Sequence, residues 1–231
     1  MRKNSQTLTT QSIPALIKQL AIPASIGMFF NTMYNVVDTF YAGLISTQAI
    51  SALTLSFMIF FLIIGFGYGF SSAITALLGN ALGKKRYKLA SIYAHKGLIF
   101  VPLIGLTLSI IGYFFAPSLF MFLGAKDEYL QISLDYINPI LFGAVFFMFN
   151  FSLNSILVAT GDTKTYRNSL IFGFFANMTL NPVFIYGFLF IPAMGIKGIA
   201  ISTVLIQVIN MFYLLYKVLQ TKLIHFEKPE Y

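Results

Sequence analysis

Six apolar stretches, separated by short polar breaks, organise this chain: residues 14–40, 51–79, 97–121, 134–158, 169–190 and 196–217. Each reaches the roughly 20 residues that a helix needs to cross a hydrocarbon core. The pattern predicts an all-α, polytopic membrane protein. Six transmembrane helices form a single lobe over residues 1–231, with a cytoplasmic tail at 218–231. Asp38, in YNVVDTFYAG, reads as the only acid inside a long apolar span. A carboxylate near the centre of a membrane helix costs about 2.5–3.5 kcal/mol on insertion scales, so such an acid is a functional-site hypothesis by default.

At 100° per residue, Gly27, Asn31, Tyr34 and Asn35 fall on the face of Asp38 and give the first span a polar stripe. Pro23 interrupts the hydrogen-bond ladder just before that stripe, which predicts a bend and a hinge there. Three other spans carry stripes of the same kind. Asn150 and Asn154 share a face of the fourth span, Asn177 and Asn181 share one of the fifth, and Thr203, Gln207 and Asn210 share one of the sixth. Lipid offers no hydrogen bonds, so the stripes are expected to turn inward, toward each other or a hydrated cavity. Any single amide could equally be interhelical glue. Convergence of four stripes on one acid favours a working site.

Composition agrees with the membrane assignment: 58% of residues are hydrophobic and 10% charged, against roughly a quarter charged in soluble domains. The mean hydropathy is +0.81. With alternating spans, Arg2, Lys3, Lys18, Lys84, Lys85, Arg86, Lys88, Lys96, Lys164, Arg167, Lys217, Lys222 and Lys228 all fall on one side, and only Lys126 and Lys197 on the other. The positive-inside rule then puts both termini in the cytoplasm, in a cytoplasmic (inner) membrane. The net charge of +8 is thus topological and not a nucleic-acid surface. The first apolar segment is too long for a removable signal and offers no small-residue cleavage site.

There are no cysteines, and the two histidines, His95 and His225, lie at span edges. Thiolate metal sites and an intramembrane Ser-His pair lack their parts, so no enzyme, cofactor or metal is expected beyond a possible Na⁺ at Asp38. The 26 Phe and 9 Met could line an adaptable pocket, although lipid-facing bulk accounts for most of them. The loops LGKKRYK (82–88) and TGDTKTYR (160–167) each follow a helix end with Gly and basic residues, where Gly fits a C-cap and the cations fit the helix dipole and lipid surface. The pair hints at a duplication of three spans.

Six segments in this order resemble the multidrug and toxic compound extrusion (MATE) transporters: LAIPASI (20–26), NVVDTFYAG (35–43), GNALGKKRYKLA (79–90), ATGDTKTYRN (159–168), NMTLNPVFIYG (177–187) and PAMGIKGIAIST (192–203). The resemblance runs from about residue 12 to 220 and covers the first six spans of a family whose members normally have twelve, in two lobes. It implies export of cationic or amphipathic drugs and toxic metabolites, coupled to inward H⁺ or Na⁺. It also implies that Asp38 carries the coupling cation and that Tyr136, Asn154 and Asn177 belong to its hydrogen-bond network, with Thr203 a less certain member. A bend at Pro23 would follow protonation.

One position departs from the pattern. Many relatives read Leu-Asp-Pro in the fifth span, where this chain has Leu180, Asn181 and Pro182, so an amide replaces a second acid. Asn181 can offer a carbonyl oxygen to Na⁺ but cannot take up a proton, which leaves Asp38 the sole titrating group of the lobe. The length implies three arrangements: part of a twelve-span exporter, pairing with a separate second lobe, or a homodimer. The alternatives to drug export are a lipid-linked oligosaccharide flippase, which should show cations inside the bundle, and a membrane subunit without transport of its own.

Overall fold

The computed structural model describes residues 11–221, 223 and 224. Six helices follow one another: α1 (Ile13–Ile45), α2 (Thr47–Gly83), α3 (Tyr87–Phe122), α4 (Asp127–Ala159), α5 (Lys164–Tyr186) and α6 (Ile196–Leu219). All six are long and apolar enough to cross a membrane. Most outrun the spans read from hydropathy. Hydropathy registers only the part suited to hydrocarbon, whereas the hydrogen-bonded helix continues through its polar ends.

The fifth helix is the exception, because the apolar run to residue 190 does not stay helical. Gly187 stops it with φ 80°, and Phe188 and Ile191 then pair across a tight turn. The C-terminal tail expected from residue 218 is α6 up to Leu219, followed by a turn at Gln220 and Thr221. Arg2, Lys3, Lys222, His225, Glu227 and Lys228 lie outside the described residues.

Local chemistry fixes the helix ends. Ser46 alone separates α1 from α2, and its hydroxyl accepts the Ala49 N–H at 3.0 Å, an N-cap bond. Helices α2, α3 and α4 end in the same way: Arg86 N–H bonds Ala81 O, Ala125 N–H bonds Phe120 O, and Asp162 N–H bonds Leu157 O, at 2.8–2.9 Å. This closure needs one left-handed residue just past the helix. Gly124 and Gly161 supply it after α3 and α4, with φ 96° and 85°. After α2 the glycine expected to cap, Gly83, is the last helical residue, and Lys85 takes the strained position with φ 56°.

The middle of the bundle is α4, buried along most of its length and packed against α2, α3 and α6. Helix α1 leans mainly on α5, and α5 on α6. The end holding Lys84, Lys85, Arg86, Lys88, Lys164, Arg167 and Lys217 is called the basic end below. Two apolar clusters fill the interior. One, toward the end opposite the basic end, includes Leu53, Ile137, Ile140 and Ile199, and the other, toward the basic end, includes Leu78, Leu153, Ile156 and Leu214. Close approach of α6 to α5 depends on Gly198, where a Cβ would stand 2.6 Å from the Phe184 carbonyl carbon.

Candidate functional site

Helix α1 carries Asp38 to the one place where α1, α5 and α6 meet. The carboxylate is buried, 4% exposed, and forms part of the wall of a cavity of about 370 Å³. That is within the range of small-molecule sites, roughly 300–1,000 Å³. Two amides on one face of α5 address the acid: Asn177 Nδ2 donates to Asp38 Oδ1 at 2.7 Å and Asn181 Nδ2 to the same oxygen at 2.9 Å. Asn181 Nδ2 also reaches Asn177 Oδ1 at 3.3 Å, and Ser202 of α6 donates to Asn181 Oδ1. Both asparagines are fully buried behind the acid. Among the described residues, no hydrogen bond of 3.5 Å or less reaches Asp38 Oδ2, although the Thr203 hydroxyl stands beside the carboxylate.

One turn before Asp38, Tyr34 donates its hydroxyl proton to Thr203 Oγ1 at 3.0 Å and joins α1 to α6 beside the acid. The sequence stripes of α1, α5 and α6 therefore do converge. The stripe of α4 does not. Asn150 instead gives both Nδ2 protons to Gln207, one to the backbone carbonyl at 3.0 Å and one to Oε1 at 2.8 Å. Asn154 is absent from the cavity wall, and its Oδ1 is buried without a partner. Ser169 and Leu214, at a similar distance from the basic end, still line the cavity, so it is the direction of its side chain and not its level that keeps Asn154 out.

Other expected members of the network stand in the cavity without bonding to the acid. Asn35 Nδ2 donates to the Asn31 carbonyl in its own helix at 2.9 Å, so these two line the cavity as a local pair. Tyr136 lines it from α4, with no hydrogen bond to the Asp38 group among the described residues. Gly27 serves packing, since a Cβ there would come 3.3 Å from Arg167 Cα of α5. Helix α1 runs unbroken across Pro23, which is buried. Nor is Asp38 the only acid within a long helix: Asp135 lies in the third turn of α4, where Gln131 Nε2 donates to it at 3.0 Å near the helix start.

Several wall residues were not legible as such in the sequence. Phe57, Phe60, Phe61, Tyr68, Phe147, Phe151 and Tyr166 face the cavity, while no methionine does. Ser202, the second support of Asn181, also escaped notice. It lies next to the Thr203 stripe but one helical step off its face, and only the position of α5 makes it useful. The wall contains no Lys, Arg or His, and among the described residues no group of three or more His, Cys, Asp or Glu could hold a metal ion.

A family model described as MatE matches residues 23–183, which take in Pro23, Asp38, Asn177 and Asn181. The chain belongs to the MatE family. Its relatives include the probable multidrug resistance protein YoeA of Bacillus subtilis, 29% identical over 93% of this chain and 48% of that protein. They also include the FAD transporter of Shewanella oneidensis, 26% identical over 87% of this chain and 44% of that protein. A solved structure of MATE in the bent conformation superposes with a TM-score of 0.89 at 27% identity, covering 99% of this chain and 50% of that one. The chain thus spans about half the length of the relatives it matches. MatE proteins are membrane transporters and not enzymes, so the six apolar helices are those of a multi-pass membrane protein with half of the MATE transporter fold.

Proposed function

We propose that this chain is one lobe of an exporter of cationic or amphipathic drugs and toxic metabolites, driven by inward proton movement through Asp38. The observation that carries the reading is the partnering of this carboxylate: two amide donors on Oδ1, no amide on Oδ2, and no cation in the cavity wall. The donors stabilise the charged form in a site where lipid offers nothing. Oδ2 remains able to take a proton or to face a bound cation. A single carboxylate that can hold either one at a time makes their occupancies exclusive. Exchange of one for the other across two access states is antiport.

The same geometry favours H⁺ over Na⁺. Sodium needs several oxygen ligands, as hard cations do. Here Asn177 Oδ1 accepts from Asn181, Asn181 Oδ1 accepts from Ser202, and both amides present N–H groups to the acid. The absence of a cationic side chain from the wall weighs against the oligosaccharide-lipid flippase alternative, whose pyrophosphate would call for one.

Phe61, 66% exposed, is both a wall residue and an open surface, so the cavity is unroofed on that side. A second six-helix lobe, in the same chain, in a separate one or in a second copy, would close it, and the doubled length of the relatives supports this. The termini would then face the cytoplasm, with the basic end against the anionic inner leaflet. Pro23 remains the proposed hinge. The decisive experiment measures ethidium efflux from energised vesicles holding the chain with its second lobe. Asp38→Asn is expected to abolish efflux driven by a proton gradient; undiminished efflux would refute the assignment.

A further inference from the structure

The connection between α5 and α6, residues 187–195, reads GFLFIPAMG and carries no polar side chain. Phe188, Leu189 and Phe190 are exposed at its tip, Phe190 at 98%. Turns that face water are built largely from Gly, Asn, Asp, Ser and Pro, which adopt the turn backbone or bond to it. Here the left-handed place goes to Leu189, with φ 52°, a conformation that favours Gly or Asn. In water this leucine would combine a strained backbone with an exposed apolar surface. The turn suits a medium other than water.

Its backbone points the same way. Phe188 N–H donates to Ile191 O at 3.0 Å and Ile191 N–H to Phe188 O at 2.9 Å, while Met194 and Gly195 N–H donate to Phe184 O and Ile185 O of α5 at 3.0 and 3.2 Å. Pro192 has no N–H to satisfy. Non-helical backbone beside hydrocarbon persists only where such groups are satisfied internally. Among the described residues the N–H groups of Leu189, Phe190 and Ala193 find no protein acceptor, which fits the boundary zone, where lipid ester oxygens accept, better than the hydrocarbon itself. Depth agrees: from Arg167 of the basic end to Gly187 is about 30 Å at 1.5 Å per residue, the thickness of a hydrocarbon core. The exposed face of α5, with Phe172, Phe175 and Tyr186, runs on into the turn.

We propose that the turn at 188–190 is a lipid anchor: Phe188, Leu189 and Phe190 seat at the ester level of the leaflet opposite the basic end and fix the depth of α5. The occupant is lipid because the turn continues the lipid-facing surface of a membrane helix. A second lobe has its opening elsewhere. Helix α5 packs on α1 and α6, whereas Phe61, at the open side of the cavity, belongs to α2, which is not among the main neighbours of α5. The anchor has a consequence for the acid, since α5 also carries Asn177 and Asn181, the donors to Asp38. Asn181 lies about 9 Å from the turn, at 1.5 Å per residue. This inference needs only that the helices span a membrane and is independent of what the cavity carries.

The chain contains no tryptophan, so Phe190→Trp places a single fluorescent reporter at the tip. The full chain is reconstituted in phosphatidylcholine vesicles, with Phe175→Trp, on the exposed middle of α5, as the hydrocarbon reference. The tip reporter should be quenched more by lipids brominated near the ester end of their chains than by lipids brominated near the methyl end, and the reference the other way round. Iodide in the water should quench the tip at least about threefold less than free tryptophan, as for aromatic rings held at a membrane interface. Adding Phe188→Ser and Phe190→Ser to Phe175→Trp should shift the depth profile of the reference. A tip quenched by iodide as freely as tryptophan in solution would place the turn in water. A tip reached by neither quencher would mean that protein covers it, a second copy included. Either result, or a reference profile that the two serines leave unchanged, would overturn the proposal.

Discussion

The two polar centres of one cavity solve opposite problems. At Asp38, Asn177 and Asn181 spend their donors on a single oxygen, and Ser202 holds the second amide in turn, so the acid is positioned from behind and left free on one side. At Asn150 one amide spends both its donors on Gln207 and leaves its own acceptor orphaned. The first arrangement favours the charged form of a carboxylate. The second leaves a carbonyl oxygen without a donor. A buried polar group in a membrane bundle is therefore best read by what its neighbours leave unsatisfied, and not by its burial alone.

The strongest way to break this division is to remove a donor from the acid. Asn177→Leu deletes the shorter of the two bonds to Asp38, and hydrogen bonds to charged groups are worth about 1.5–3 kcal/mol. At about 1.4 kcal/mol per decade, proton-driven ethidium efflux should fall on the order of tenfold or more. Undiminished efflux would remove Asn177 from the proposed proton site.

An intermediate effect is expected from the other side. A Cβ at Gly67 of α2 would overlap the Phe151 ring, and overpacking of this kind typically costs about 1–3 kcal/mol. The ring can move, so Gly67→Ala should lower the melting temperature in detergent and loosen the Tyr68–Phe151 wall. The dependence of ethidium efflux on Asp38 should persist. An unchanged melting temperature would mean that the Phe151 ring moves aside at no cost.

How much of this was readable in advance depended on which physical signal each residue carries. The helices, and the singling out of Asp38, follow from the cost of polarity in hydrocarbon, which one sequence displays directly. The meeting of Asp38 with Asn177 and Asn181 follows from facing stripes, because spacing fixes the face of a helix. Spacing does not fix its neighbour. The stripe of α4 points to α6 and not to the acid, and nothing in Asn150 or Asn154 distinguishes these outcomes. Phe57 or Tyr68 could not be told from lipid-facing aromatics, since both environments are apolar. Lys85 in a left-handed cap, beside a glycine that stays helical, depended on where α2 happened to end.

Tyr34 sits between the two centres, and its loss should produce the smallest effect. Its hydroxyl donates to Thr203 at the level of the acid, while its ring edge approaches Gly173, with Cε2 3.8 Å from where a Cβ would be, opposite Asn210. Tyr34→Phe keeps the ring and removes only a neutral hydrogen bond, worth about 0.5–1.5 kcal/mol. Thr203 can then turn its own hydroxyl proton toward another acceptor, which limits the loss. Ethidium efflux should drop less than about tenfold, because the ring still closes its side of the cavity. If Tyr34→Phe instead matched Asp38→Asn, the tie between α1 and α6 would be a working part of the proton site and not merely its frame. Coupling would then have to be written through Tyr34 and Thr203 as well as through the acid.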